Sequence, residues 1–266
     1  MVIEINNLNF SYKNKTIFRN LNLNIKEGSF VFISGASSCG KTTLLKILLG
    51  LIEVNSNIKV CGLEINKINL KEIRKNVGMV FENPDNYFVA ETVKDEISFI
   101  LENLNVEKKE IERKVLEICN KLEIDNLLNL ETHSLSGGEK ELVALASALV
   151  NNPKILLIDG SLNMLDDIKK DKVFKYLRKL NKENKTTIIC TTENLEDSLY
   201  GKQLVLIKEK VILNEKINKA FNDENIFKKC NLELPFMALL SNKLKYYGLV
   251  DEIILDMDKM VNKLWK

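Results

Sequence analysis

Between Ile33 and Leu45 the chain reads ISGASSCGKTTLL, and no other stretch limits the possible fold as tightly. Gly35, Gly40, Lys41 and Thr42 match G-x-x-x-x-G-K-[ST], the pattern of a phosphate-holding loop between a strand and a helix. The flanks supply that context. Residues 29–34 form a short apolar run suited to a buried strand, and residues 42–49 are apolar and helical in character. In such a loop backbone N–H groups and the helix N-terminus hold phosphate oxygens, the lysine reaches the terminal phosphates and the Thr hydroxyl ligates Mg²⁺. The expected ligands are therefore ATP and Mg²⁺, held by Gly35, Ala36, Ser37, Ser38, Cys39, Gly40, Lys41, Thr42 and Thr43. The competing reading, a glycine-bearing turn before a core helix, leaves these flanks unexplained. Ser38 and Cys39 carry a Cβ where a phosphate nest often needs positive φ, which weakens binding without abolishing it.

At 266 residues the chain can bury a substantial core, as one large domain or one domain with a modest extension. Hydrophobic residues at 45% and charged residues at 29% describe a soluble globular protein. With a net charge of +2 and acids and bases interspersed, nothing marks a nucleic-acid footprint, and the lysine runs read as solvated helix faces. Cysteines 39, 61, 119, 190 and 230 are scattered, odd in number and lack C-x-x-C, which speaks against disulfides and zinc and suits a reducing cytosol. No apolar run approaches a membrane span, and residues 2–10 alternate as a strand does, unlike a signal peptide. A role at a membrane would require a partner to hold the chain there.

The first 30 residues read as β-rich, with strands at 2–10 and 21–25 and Tyr12 in the loop after the first, placed either to stack on a purine or to cover the sheet edge. Short strands are expected near 58–61 and 77–81. Thr92 is placed to cap a helix running to about Leu104, and Ile111, Val115, Ile118 and Leu122 recur at helical spacing. Residues 83–135 thus read as a helical insertion. Leu135-Ser136-Gly137-Gly138-Glu139 then leads into an Ala- and Leu-rich helix, where two glycines at the start leave N–H groups for an anion. Residues 155–158 are fully apolar and end in Asp159, as expected of a central strand delivering a carboxylate to Mg²⁺. A helix at 168–180, a strand at 186–191, two strands within 203–213 and short helices from Phe221 onward complete the reading.

LSGGE followed by a helix and then by KILLID resembles the signature motif and Walker B strand of ABC-type ATPases. The resemblance implies an α/β fold: a P-loop ABC nucleotide-binding domain with an antiparallel β subdomain over residues 1–215, the insertion at 83–135 and a helical C-terminal extension at 216–266. FENPDNYFVAETVKDEISFILENL and the tail, with its Pro235-Phe236 pair and closing Leu264-Trp265, resemble the ATP-binding subunits of energy-coupling factor (ECF) transporters, importers of vitamins and of cobalt or nickel ions. That implies a peripheral protein on the cytoplasmic side of the cell membrane. Its partners would be a second ABC ATPase subunit, a membrane scaffold subunit and a substrate-binding membrane subunit. In the head-to-tail pair, Ser136, Gly137, Gly138 and Glu139 would contact the partner's ATP. Met164-Leu165-Asp166 resembles the family's D-loop. The competing function is a structural or regulatory ATP-binding ABC protein without transport.

The family's catalytic Glu after the Walker B Asp, its Gln near Mg²⁺ and its switch His are replaced here by Gly160, Glu82 and Glu193. No shift of register rescues the histidine, because the sole one is His133. Gly160 offers no side chain to water, whereas Glu82 retains an oxygen donor for Mg²⁺ alongside Thr42 and Asp159. Glu193 would set a negative charge beside a γ-phosphate, which either disfavours ATP or protonates the acid. No catalytic residue is intact, so the chain's own site is expected to bind Mg-ATP and hydrolyse it very slowly unless Glu82 or Glu193 acts as a substitute base. In the signature, Glu139 replaces a usual Gln, and Leu142 a customary basic residue.

Overall fold

In the computed structural model, which describes residues 1–160 and 162–265, the chain opens with an antiparallel hairpin of β1 (Ile3–Tyr12) and β2 (Lys15–Ile25). Tyr12 pairs with Lys15 across a two-residue turn, so it ends β1 and does not lie in the loop as expected. The second strand is also longer than residues 21–25, because Thr16, Ile17 and Phe18 favour extended backbone. Register shifts around Leu8 and Phe10 accommodate the mid-strand asparagines Asn7 and Asn20, both at positive φ.

β3 (Phe30–Ser34) runs into α1 (Lys41–Leu48), and β4 (Asn57–Val60) and β5 (Leu63–Glu64) return to the hairpin to complete a four-stranded antiparallel sheet ordered β2-β1-β4-β5. α2 (Leu70–Asn76) precedes β6 (Val77–Val80); with Ile73 as its one buried side chain it shows little helical periodicity, and it has no counterpart in the sequence reading. α3 (Val93–Asn103), α4 (Lys108–Leu122) and α5 (Gly137–Leu149) follow, then β7 (Ile155–Ile158), α6 (Asp167–Asn184), β8 (Thr187–Thr192), β9 (Gln203–Lys208) and β10 (Lys210–Lys216). The second sheet is ordered β10-β9-β3-β8-β7-β6, parallel throughout except for the β9–β10 hairpin.

The unbroken apolar runs of the central strands follow from burial on both faces. Side chains alternate between the two faces of a strand. Phe30, Phe32, Leu156, Ile158, Ile188, Cys190, Leu204 and Leu206 accordingly face one core, shared with α3 to α6. Val31, Ile33, Ile155, Leu157, Ile189, Val205 and Ile207 face a second, shared with α1 and the antiparallel sheet. Each such side chain contributes about 1.5–3 kcal/mol on burial, and Phe32, Phe174 and Tyr200 add ring contacts at 5.9 and 4.4 Å between centroids. The sheet is clamped between two apolar layers, which fixes its C-terminal edge.

Thr92 caps α3 by accepting from the Asp95 N–H at 3.2 Å, worth about 1 kcal/mol. Ile111, Val115, Ile118 and Leu122 all face the core from α4. After β10 come α7 (Ile217–Ala220), α8 (Glu224–Lys229), α9 (Phe236–Tyr246) and α10 (Met257–Leu264). Phe221 and Phe227 join the main core, whereas Met237, Val250 and Met260 form a small core of their own. Among the described residues no helix is long and apolar enough to cross a membrane.

Candidate nucleotide-binding site

The loop between β3 and α1 lies at the C-terminal edge of the parallel sheet, where open α/β sheets bind ligands. Glycine is required at two points of it. A Cβ on Gly35 would collide with the Ile207 carbonyl of β9, and one on Gly40, at φ 105°, would strike Ile17 and Phe18 of β2. Ser38 does take positive φ, 58°, at a cost of about 1–2 kcal/mol, while Cys39 avoids it. Half of the strain expected at these two positions is therefore present.

Lys41 is only 10% exposed, and its ammonium donates to the Gly35 carbonyl at 2.9 Å, the Ala36 carbonyl at 3.1 Å and Glu193 Oε1 at 3.0 Å. The Thr42 hydroxyl donates to Asp159 Oδ1 at 3.1 Å, drawing the end of β7 to the start of α1. Thr191 on the intervening strand β8 also donates to Asp159 Oδ1, at 2.8 Å, and accepts from the Gly160 N–H at 2.8 Å.

These groups border a cavity of about 710 Å³, within the range of small-ligand pockets. Of the residues expected from sequence, Tyr12, Ser37, Ser38, Gly40, Lys41, Thr42, Thr43, Glu82, Asp159, Gly160 and Glu193 line it. Tyr12 stands at 48% exposure with Phe10 edge-on to its ring at 4.8 Å. Gly35, Ala36 and Cys39 do not line the cavity; the carbonyls of the first two accept from Lys41. Lys15, Ile17, Asn163, Thr191, Thr192 and Asn194 line it without having been singled out, since none belongs to a local motif. The wall thus carries three acids, Glu82, Asp159 and Glu193, against two bases, Lys15 and Lys41.

Among the described residues no cluster of three or more His, Cys, Asp or Glu side chains could by itself cage a metal ion. Thr42 and Asp159 nonetheless set two hard oxygen donors side by side, with Glu82 on the same wall. That donor set fits Mg²⁺, which keeps waters and phosphate oxygens as its remaining ligands.

The signature glycines stand inside the helix and not ahead of it, and there their N–H groups, as first-turn donors, have no intrahelical acceptor. Ser136 is the N-cap of α5, and Gly137 and Gly138 lie inside its first turn. Glu139 closes a capping box, accepting from the Ser136 hydroxyl at 2.6 Å and N–H at 2.9 Å; these bonds hold its carboxyl below the ordinary glutamate pKa. The glycines allow close approach: a Cβ on Gly137 would lie 2.9 Å from Met164 Sδ, and one on Gly138 3.0 Å from the Met164 carbonyl. Buried Glu141 accepts from the Met164 N–H at 3.0 Å and fastens residues 163–165 to α5; its burial pushes its carboxyl pKa up. Leu142 is buried in the main core. None of Ser136, Gly137, Gly138 or Glu139 lines the cavity of the chain's own loop. His133 is exposed and pairs with Glu131, also outside it.

A family model described as ABC transporter matches residues 18–163. The energy-coupling factor transporter ATP-binding protein EcfA1 of Mesomycoplasma hyopneumoniae (strain 7448) is 34% identical over 270 residues, covering 100% of this chain and 98% of that protein. Among solved structures, cbiO1 from Clostridium perfringens, part of the ABC transporter complex cbiONQ, superposes with a TM-score of 0.76 at 29% identity, over 90% of this chain and 98% of that one. A bacterial ABC transporter cassette solved as a dimer gives a TM-score of 0.75 at 29% identity, over 81% of this chain and 98% of its own. With its loop, signature helix and aspartate strand in the order that family uses, and with likeness running end to end, this chain belongs to the ABC transporter family as an ATP-binding cassette and resembles throughout the ATP-binding subunits of energy-coupling factor transporters.

Proposed function

We propose that this chain is an ATP-binding subunit of an ECF-type importer. It pairs head to tail with a second ABC ATPase and couples ATP binding and hydrolysis to vitamin or metal-ion uptake through a membrane scaffold and a substrate-binding membrane subunit. It sits peripherally on the cytoplasmic face of the cell membrane, and its residues divide into an ABC domain, 1–215, and a helical extension, 216–266. The observation that carries this reading is the separation of the two half-sites: the signature residues lie outside the cavity of their own loop, so they are free to serve another chain's nucleotide.

At the chain's own loop, backbone N–H groups and Lys41 bind phosphate, Tyr12 flanks the base, and Thr42, Asp159 and Glu82 hold Mg²⁺. The ion, when bound, neutralises charge on the phosphate oxygens. Poor hydrolysis there has a backbone cause as well as a missing side chain. Gly160 follows β7 at φ 76°, a conformation that a glutamate resists, so the turn itself is shaped around glycine. Lys140 on α5 binds Asp85 at 2.6 Å, and Glu96 accepts from the Val89 and Ala90 N–H groups at 2.9 Å. The first bond ties the signature helix α5 to the loop at Glu82 and the others tie α3 to residues 89–90; the helical insertion and that loop form the groove for the scaffold's coupling helices.

The test is ATP turnover by the purified chain alone and with its paired ATPase. The pair is expected to exceed the lone chain at least about 100-fold, as loss of several positioned catalytic groups dictates. Comparable rates would sink the proposal, and failure to copurify with membrane subunits would favour the non-transport reading.

A further inference from the structure

The ammonium of Lys41 has three protons and, with Gly35, Ala36 and Glu193, three oxygen acceptors within 3.1 Å, so its hydrogen-bonding capacity is filled by this chain's own atoms. Two of those acceptors are carbonyls of the loop and are fixed by it. The third is a carboxylate, 152 residues away in sequence, which lines the cavity and is 55% exposed. It stands where a phosphate-holding lysine would meet the outermost phosphate of a bound nucleotide.

Its placement is not accidental to a floppy loop. Glu193 comes directly after β8, whose last residue, Thr192, accepts from the Asn194 N–H at 3.0 Å and donates to Asp197 at 3.2 Å. Asp197 is itself held by Lys170 at 2.7 Å in a buried ion pair, and Glu196 accepts from the Phe236 N–H at 2.6 Å at the start of α9. Bonds to β8, α6 and α9 thus clamp the short segment that presents the carboxylate.

We propose that Glu193 serves as a built-in substitute for a terminal phosphate and makes this pocket select a nucleoside diphosphate over a triphosphate. A diphosphate can use the loop N–H groups and the nearby positive charge of Lys41 while Glu193 and the two loop carbonyls keep the ammonium's protons. A triphosphate must expel the carboxylate from Lys41 and then sit beside it, on a wall that already carries Glu82 and Asp159. The result is a discriminator at the one ligand position that distinguishes substrate from product. The proposal rests on the nucleotide-binding reading above, and it would make this half-site a static, product-like partner to a working neighbour.

The test is equilibrium binding of ADP and of ATP, each with Mg²⁺, to the purified full chain, with Glu193→Gln, Glu193→Ala and Lys41→Ala variants checked for unchanged thermal unfolding. The wild-type chain is expected to bind ADP at least about 10-fold tighter than ATP, a preference worth about 1.4 kcal/mol. Both Glu193 variants are expected to tighten ATP by about that factor and to leave ADP within about three-fold. Lys41→Ala should weaken both nucleotides. Equal or tighter ATP binding by the wild type, or a ratio that neither Glu193 variant moves, overturns the proposal while leaving nucleotide binding intact. Binding of neither nucleotide by any form overturns both.

Discussion

Gly138→Asp is expected to cut ATP turnover by the assembled pair at least about 100-fold, while nucleotide binding at this chain's own loop stays within about three-fold. Gly138 lies in the first turn of α5, whose partly positive N-terminus lies outside the lining of the chain's own cavity. An aspartate there brings a full negative charge to the place proposed for the neighbour's phosphates. At about 4 Å and an effective dielectric of about 20, two unit charges repel by about 4 kcal/mol, more than the ~2.7 kcal/mol that a 100-fold loss of rate requires. The side chain would also press on the Met164 carbonyl, 3.0 Å from a Cβ at this position. Gly138→Ala carries that steric part without the charge and should cost the pair far less. Steady-state turnover of the two pairs separates the effects, and an aspartate variant with near-normal rate would remove the signature from the reaction.

Gly40→Ala is expected to lower stability by about 3 kcal/mol and nucleotide affinity by at least about 30-fold. At φ 105° the residue sits outside the conformations an L-residue adopts comfortably, a penalty of about 1–2 kcal/mol. A methyl group would also meet Ile17 and Phe18, the latter fully buried and unable to retreat, and overpacking of that kind costs about 1–3 kcal/mol. Because Gly40 caps α1 and precedes Lys41, relief of the clash moves both the helix start and the lysine. For a chain of this size about 3 kcal/mol corresponds to roughly 6–12 °C in Tm. Unchanged melting together with unchanged ADP affinity would mean that the loop does not hold this shape.

Much of the site was legible because its parts are local. The loop at 35–42 and the Leu135–Glu139 signature ahead of its helix each fit within a dozen residues whose spacing has a mechanical reason. The apolar strand ending at Asp159 showed itself in the same way, through burial on both faces. What the pattern could not supply was proximity across the sheet. Thr191 is unremarkable in sequence, yet it lies one strand from Asp159 and bonds both its carboxylate and the next N–H. Lys15 and Ile17 reach the cavity only because the hairpin extends past the expected strand, and Asn163 and Asn194 only because two loops converge on it.

The charges at Lys41 and Glu193 could be read as opposed to a phosphate, one attracting and one repelling. Their direct ion pair at 3.0 Å could not, since it depends on β8 lying beside β3. The signature glycines likewise read as anion-binding, and the structure adds that they admit the Met164 segment, held in turn by Glu141. The replacement at Gly160 looked like the loss of a side chain. Its φ of 76° adds that the turn after β7 takes a conformation that favours glycine.

The most direct measurement is a structure of the nucleotide-bound pair. The Gly137 and Gly138 N–H groups should lie within hydrogen-bond reach, about 3 Å, of the terminal phosphate on the neighbouring ATPase, with the Ser136 hydroxyl turned from Glu139 to donate to it as well. Finding these three residues in solvent, or against any surface other than the neighbour's nucleotide, would contradict the division of labour between the two half-sites.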